Sequence, residues 1–194
     1  MKKKIGLLVL LIVVIGVGKY VYDIHLNHNF ETITEGKVYK SGVIPPDEIE
    51  SYVKKHNIKS IVDLRMPGTN DLVLNPEQPG ELQQEREAVA KIKGVNYYSN
   101  PSDQVPTQEK VDSFLKIMDN PDNYPVLIHC YHGTGRAEMY SALYRIEYEN
   151  MDRDEARERT RFLTKWSSFD LGKPKGDYLH TYETRKEKAA EAKK

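Results

Sequence analysis

From Val38 onward the apolar residues of this chain change period repeatedly, from the short continuous runs of buried strands to the three-and-four spacing of helices and back. Ile58 to Leu64 (IKSIVDL), Val95 to Ser99 and Val126 to Ile128 are rich in β-branched or aromatic residues and read as strands. Pro45, Pro46 and Asp47 open a helix with Ile49, Tyr52 and Val53 on its apolar face. A Pro/Gly/Asn-rich loop fills Met66 to Gly80, and Leu82, Val89 and Ile92 then mark a second helix stopped by Gly94. Thr107 caps a third, which buries Val111, Phe114, Leu115 and Met118. After a turn at 121–125 and the strand at Val126, Met139, Ala142, Leu143 and Ile146 share one face of a fourth. Asp152 and Glu155 start a fifth that runs toward Leu163. Strands alternating with helices predict an α/β domain with a mainly parallel central sheet flanked by helices.

The two ends differ from this middle. Lys2, Lys3 and Lys4 precede Ile5 to Gly18, a stretch without a polar side chain. Residues 1–22 therefore read as a signal-anchor or a signal peptide, with membrane association through residues 5–22. Its fourteen wholly apolar residues rise about 21 Å, and extension to Tyr22 gives about 27 Å, with Lys19 snorkelling. Gly16, Val17 and Gly18 offer a small-x-small cleavage site. Either way the lysines stay cytoplasmic, so the domain lies outside the cytoplasm, anchored if the segment is kept and secreted or periplasmic if it is cleaved. Residues 23–36 read as a linker, 37–172 as the domain, and 173–194 as a charged, solvated tail.

Composition narrows the functions. The 29 Lys and Arg balance 29 Asp and Glu, so no nucleic-acid partner is expected. The single cysteine excludes an internal disulfide and any zinc site built on paired thiolates.

That cysteine stands at the end of the strand Val126 to Ile128, in the stretch His129-Cys130-Tyr131-His132-Gly133-Thr134-Gly135-Arg136. A tight loop between a strand and a helix N-terminus turns its amides on an anion, helped by the helix dipole. Gly133 and Gly135 permit positive φ and close backbone approach. Arg136, in the first turn of the helix, can fold its planar fork over the loop and hold two phosphate oxygens. The same amides that would hold a phosphate would stabilise a thiolate, so anion cradle and nucleophile are one device. The alternative is a buried structural cysteine.

His129, Cys130 and Arg136 at this spacing resemble the active-site motif of the cysteine-dependent protein tyrosine phosphatase superfamily. Val38-Tyr39-Lys40-Ser41-Gly42 and Ile61-Val62-Asp63-Leu64-Arg65 fit its compact dual-specificity branch, over roughly 37–171. The resemblance implies two-step phosphoryl transfer through a phospho-cysteine on Cys130, with no metal or other cofactor. It assigns phosphate binding to Arg136 and to the loop residues His129, Tyr131, His132, Gly133, Thr134 and Gly135. It also calls for an aspartate on a separate loop to protonate the leaving oxygen. Asp103, between strand and helix in Ser102-Asp103-Gln104-Val105-Pro106, is that candidate. His129 is expected to orient the loop, and Asp63 and Arg65 to brace it from behind.

One position departs from the pattern. The family usually carries Ser or Thr directly after the arginine, where its hydroxyl helps the cysteine leave; here Ala137 stands. Slow hydrolysis of the phospho-enzyme follows. The expected partner is thus a phosphorylated protein or a small phosphate ester, with phosphotyrosine leading. An inositol polyphosphate or phosphoinositide ranks lower, because such sites want extra positive charge and the loop offers only His132 beyond Arg136, with no lysine. A weakly active phospho-ligand binding module is the third reading, motivated by Ala137.

Overall fold

The computed structural model describes residues 2–22, 26–68, 78–160 and 167–193. Its elements in chain order are α1 (Lys2–Val21), β1 (Glu31–Thr34), β2 (Val38–Ser41), α2 (Ile49–His56), β3 (Ser60–Asp63), α3 (Pro79–Ala90) and β4 (Asn96–Ser99). There follow α4 (Gln108–Met118), a 3-10 turn (Pro121–Asn123), β5 (Val126–His129), α5 (Arg136–Tyr148), α6 (Arg153–Arg159), α7 (Pro174–His180) and α8 (Arg185–Glu191). The five strands form one sheet in the order β1-β2-β5-β3-β4, with only β1 antiparallel to its neighbour. The α/β architecture predicted from the alternating periods is the one observed.

Successive strand residues point to opposite faces, and the two apolar sets separate accordingly. Val38, Val62, Val126 and Ile128 meet α4, α5 and the helices beyond through Phe114, Leu115, Met139 and Leu143. Tyr39, Ile61 and Leu127 meet α2 and α3 through Ile49, Val53 and Val89. Two buried faces explain why the strands are continuous apolar runs instead of alternating ones. The helix α5 is buried from Arg136 through Ile146, which fixes the element that carries the arginine. Phe114 meets Tyr140 edge-to-face at 4.9 Å across this core.

Register then brings the chemistry together. Ser41 and Asp63 both pair with His129, so the C-terminal ends of β2, β5 and β3 lie level. Every loop that leaves these ends opens on the same edge of the sheet, where ligands of parallel sheets are held.

Three expectations change. The segment read as a 23–36 linker contains β1, whose Ile33 packs against the core while Phe30 stacks on Tyr39 at 5.4 Å. The segment read as a solvated tail at 173–194 contains α7 and α8. Leu179 and Tyr182 are core residues, and the Tyr182 hydroxyl donates to Glu147 at 2.6 Å. The N-terminal segment does form a helix, α1, with Ile5, Leu7, the aliphatic run from Leu10 to Ile15, and Val17 exposed. No helix among the described residues, however, is long and apolar enough to cross a membrane. Membrane association through residues 5–22 is therefore unsupported: the wholly apolar stretch rises about 21 Å against a hydrocarbon core of about 30 Å. Most of the Met66 to Gly80 loop, and the expected helix end at Leu163, lie outside the described residues.

Candidate active site

The loop from Cys130 to Gly135 closes because its carbonyl oxygens are tied outward. The Tyr131 carbonyl accepts the Val43 N–H at 2.9 Å, and the His132 carbonyl accepts Asn29 Nδ2 at 2.8 Å. The Gly133 carbonyl accepts Lys40 Nζ at 3.3 Å. In a planar trans peptide the N–H points opposite to the C=O. The amides of His132, Gly133 and Thr134 therefore turn inward, and the Gly133 N–H meets Cys130 Sγ at 3.3 Å. A sulfur met by a loop amide just before the N-terminus of a 13-residue helix sits where an anion is best held.

Gly133 makes this closure feasible. Its φ is +76°, and a Cβ there would stand 2.5 Å from the Gly42 amide nitrogen. No other residue type fits both conditions. Gly135 has a different neighbourhood: a Cβ on it would stand 2.7 Å from Gln104 Oε1 and 3.4 Å from Lys175 Nζ. Side chains from the β4–α4 loop and from α7 thus converge on the mouth of the cradle.

Arg136 is buried, and its Nη1 donates to the Leu64 carbonyl at 3.0 Å. The same oxygen accepts the Ser102 N–H at 3.2 Å. Ser102 Oγ accepts from the Tyr140 hydroxyl at 2.9 Å and donates to the Asp103 carbonyl at 3.1 Å. The backbone of Asp103 is thereby fixed to the support of the arginine. Its carboxylate is exposed and has no hydrogen-bond or ion-pair partner among the described residues. Its neighbour Gln104 reaches the cradle itself.

His129 is placed elsewhere. Its Nε2 lies 2.9 Å from Glu85 Oε1 and 3.7 Å from Asp63 Oδ1, so its ring belongs to a buried network behind the loop. Arg65 grips Asp63 through Nε at 2.9 Å and Nη2 at 2.8 Å, reaches Glu85 with Nη2 as well, and Tyr97 donates its hydroxyl to Asp63. Burial alone would raise the Asp63 carboxyl, but His129, Arg65 and Tyr97 outweigh it and hold it at about 2. Burial would lower the His129 imidazolium, and Glu85 with Asp63 outweigh that and hold it above its ordinary value. Asp63, Glu85 and His129 lie close enough to ligate a metal. The Arg65 guanidinium already supplies the cation between the two carboxylates, so the trio does not fit one.

Of the residues predicted from the sequence, Cys130, Gly133, Gly135 and Arg136 come together as the cradle, and Asp103 lies on the loop beside it. Tyr131 and His132 contribute their carbonyls to the outer supports, and their rings meet edge-on at 4.8 Å. Thr134 is exposed at the mouth. Asp63 and Arg65 form the expected brace. Lys40, Glu85 and Lys175 escaped the sequence reading; Lys40 alone had a visible cue, standing in the Val38-to-Gly42 segment that carried part of the resemblance.

The sequence profile of the family described as "DSP-PTPase phosphatase fused to NAD+ Kinase" matches residues 19–173. The chain belongs to this family. It is a cysteine-dependent phosphatase, of the dual-specificity-like class. No curated protein matches it in a sequence comparison. Among solved structures, the phosphatase resembles the core catalytic domain of the PP-IP phosphatase SIW14 from S. cerevisiae, crystallised with citrate. Identity there is 20%, over 85% of this chain and 91% of that one, with a TM-score of 0.59. It likewise resembles TpbA of P. aeruginosa in complex with pTyr, at 17% identity over 87% and 93% of the chains and a TM-score of 0.62. At these identities the likeness is one of fold.

Proposed function

We propose that this phosphatase hydrolyses phosphate monoesters of the phosphotyrosine type through a phospho-cysteine. The Cys130 thiolate attacks phosphorus, the S–P bond forms, and the bond from phosphorus to the leaving oxygen breaks. Asp103 gives its proton to that oxygen. Water then attacks phosphorus, returns a proton to Asp103, and displaces the thiolate as inorganic phosphate departs. The loop amides and Arg136 hold the equatorial oxygens throughout.

The observation that carries this reading is the outward tethering of the three carbonyls together with the Gly133 N–H at Cys130 Sγ, 3.3 Å away. The link from the Asp103 carbonyl through Ser102 to the Leu64 carbonyl, which Arg136 also meets, supports its role as the acid. The TpbA complex with pTyr supports the substrate class by likeness of fold. Cys130→Ser is expected to abolish turnover of p-nitrophenyl phosphate while phosphate-analogue binding survives; retained turnover would refute the reading.

A second reading, an inositol polyphosphate or pyrophosphate as substrate, gains from one observation. Lys175 stands at Gly135 and supplies the cation that the loop sequence lacked. A panel of phosphopeptides against inositol phosphates, followed by phosphate release, separates the two.

For location, we infer export. The fourteen-residue apolar core of α1 matches the length of a secretion signal's central region, and its exposed aliphatic side chains need a partner. Fractionation of cells expressing the full chain tests this: phosphatase recovered only with cytosolic markers would contradict it.

A further inference from the structure

Residues 27–31, which the sequence marked only as part of a linker, press against the cysteine loop. They form a turn, closed by the Phe30 N–H on the Asn27 carbonyl at 2.8 Å and by Asn27 Nδ2 on the Phe30 carbonyl at 3.0 Å. Inside it His28 and Asn29 both stand at φ +51°, a left-handed conformation that asparagine adopts more readily than most residues. Phe30 anchors the turn, stacked on Tyr39 at 5.4 Å and on His56 at 4.4 Å. The His28 carbonyl then accepts the Gly42 N–H at 2.7 Å, and Asn29 Nδ2 donates to the His132 carbonyl at 2.8 Å. Lys40, which holds the next carbonyl of the loop, pairs with Glu31 at 2.9 Å. Two of the three outward tethers thus involve residues 29 and 31.

The Asn29 contact is set apart by what lies across from it. The His132 carbonyl and the Gly133 N–H belong to one peptide unit, and that N–H meets Cys130 Sγ at 3.3 Å. A chain of hydrogen bonds therefore runs from the Asn29 amide through a single peptide plane to the sulfur. Each bond in such a chain polarises the next, so a donor on the carbonyl makes the N–H at the far end a better donor. A better donor favours the ionised sulfur over the thiol. The contact also fixes direction. Gly133, at φ +76°, has no side chain to hold its own peptide in one orientation, and Asn29 supplies that hold from outside the loop.

We propose that Asn29 is a positioning residue for the reaction: by holding the His132 carbonyl it aims and polarises the Gly133 N–H that stabilises the Cys130 thiolate. It acts through the loop and touches neither the substrate nor the reacting atoms. The inference rests on the phosphatase reading only in taking Cys130 as the nucleophile. It extends the working site to a segment that precedes the first strand.

The test compares the full-length protein with two variants that keep Arg136, Lys40 and Lys175 in place. Asn29→Gly preserves the left-handed backbone and deletes the donor; Asn29→Asp preserves the shape and puts an acceptor where the donor was. The rate of alkylation by iodoacetamide is followed from about pH 4 to pH 10, and its midpoint reports where the sulfur ionises. The chain has a single cysteine, so the signal has one source. Asn29→Gly is expected to move that midpoint up by about half a pH unit, and Asn29→Asp at least as far. At pH 6, kcat/KM on p-nitrophenyl phosphate should fall about threefold or more in both, with thermal unfolding little changed. An unmoved midpoint in Asn29→Gly overturns the proposal even if kcat/KM falls, because a merely structural contact would weaken turnover without changing ionisation. If Asn29→Asp does not fold, Asn29→Gly decides alone. Absence of p-nitrophenyl phosphate turnover in the wild type would instead refute the phosphatase reading, and the alkylation midpoints would still decide the role of Asn29.

Discussion

Lys40 Nζ supports the Gly133 carbonyl from below the cysteine loop at 3.3 Å, and the same ammonium pairs with Glu138 of α5 at 2.9 Å. Strand, loop and helix are thereby joined by one buried cation. Lys40→Met strands the Glu138 carboxylate in the core, where removing one partner of a buried pair costs about 3–5 kcal/mol. The double variant Lys40→Met/Glu138→Gln is expected to recover most of that stability in denaturant unfolding. It should not recover kcat/KM on p-nitrophenyl phosphate, because the Gly133 carbonyl is still unheld. Recovery of both would show that Lys40 serves stability alone.

Asp103 is tested by leaving group. Asp103→Asn is expected to slow phosphotyrosine, whose leaving oxygen needs a proton, by about 10²-fold or more. p-Nitrophenyl phosphate, with a better leaving group, should lose far less. Equal losses on the two substrates would move the acid to another residue.

The network behind the loop sets a window of pH. Asp63 ionises more readily in the folded chain than in the unfolded one, at about 2 against 3.8. Its contribution, roughly 2 kcal/mol, is complete above about pH 4 and is lost as the pH falls toward 2. His129 has the opposite sign, because its folded value lies above 6.5. Its contribution is complete below about pH 6.5 and is lost as the pH rises through the folded value. Thermal unfolding across pH 2–9 should show a plateau between these limits. His129→Gln should remove the alkaline decline and also shrink the acid limb, because the His129 charge is the largest of those that hold the Asp63 carboxyl down; an unchanged alkaline decline would contradict this assignment.

Ala137 is fully buried at the start of α5, directly after the arginine. Without a hydroxyl there, release of the phosphoryl group from Cys130 is expected to limit turnover, giving a burst of p-nitrophenol equal to the enzyme concentration. Ala137→Ser should raise the steady rate several-fold and shrink the burst. A wild-type time course without a burst would place the slow step earlier.

What the sequence made legible was local. Cys130, Gly133, Gly135 and Arg136 lie within a single turn between β5 and α5, so their spacing already carried the geometry. The buried faces of α2, α4 and β5 were equally plain, since Ile49, Phe114 and Ile128 follow the period of their own elements. The β1 strand was not, because Glu31–Thr34 is short, half polar and paired on one edge only. Lys40, Glu85 and Lys175 were hidden for another reason. Each acquires its role from a partner distant in the chain, and a charged residue bears no mark that it will be buried. Lys175 lies in a stretch dense in charge, where only the contact with Gly135 distinguishes it from a solvated neighbour.

The most direct test of the account is the mass of the acid-quenched protein during turnover of p-nitrophenyl phosphate, followed by peptide mapping. The account predicts one phosphoryl group per chain, on the peptide holding Cys130, absent from Cys130→Ser and labile as a thiophosphate ester is. Steady turnover in Cys130→Ser, or wild-type turnover with the phosphoryl group found on another residue, would contradict it.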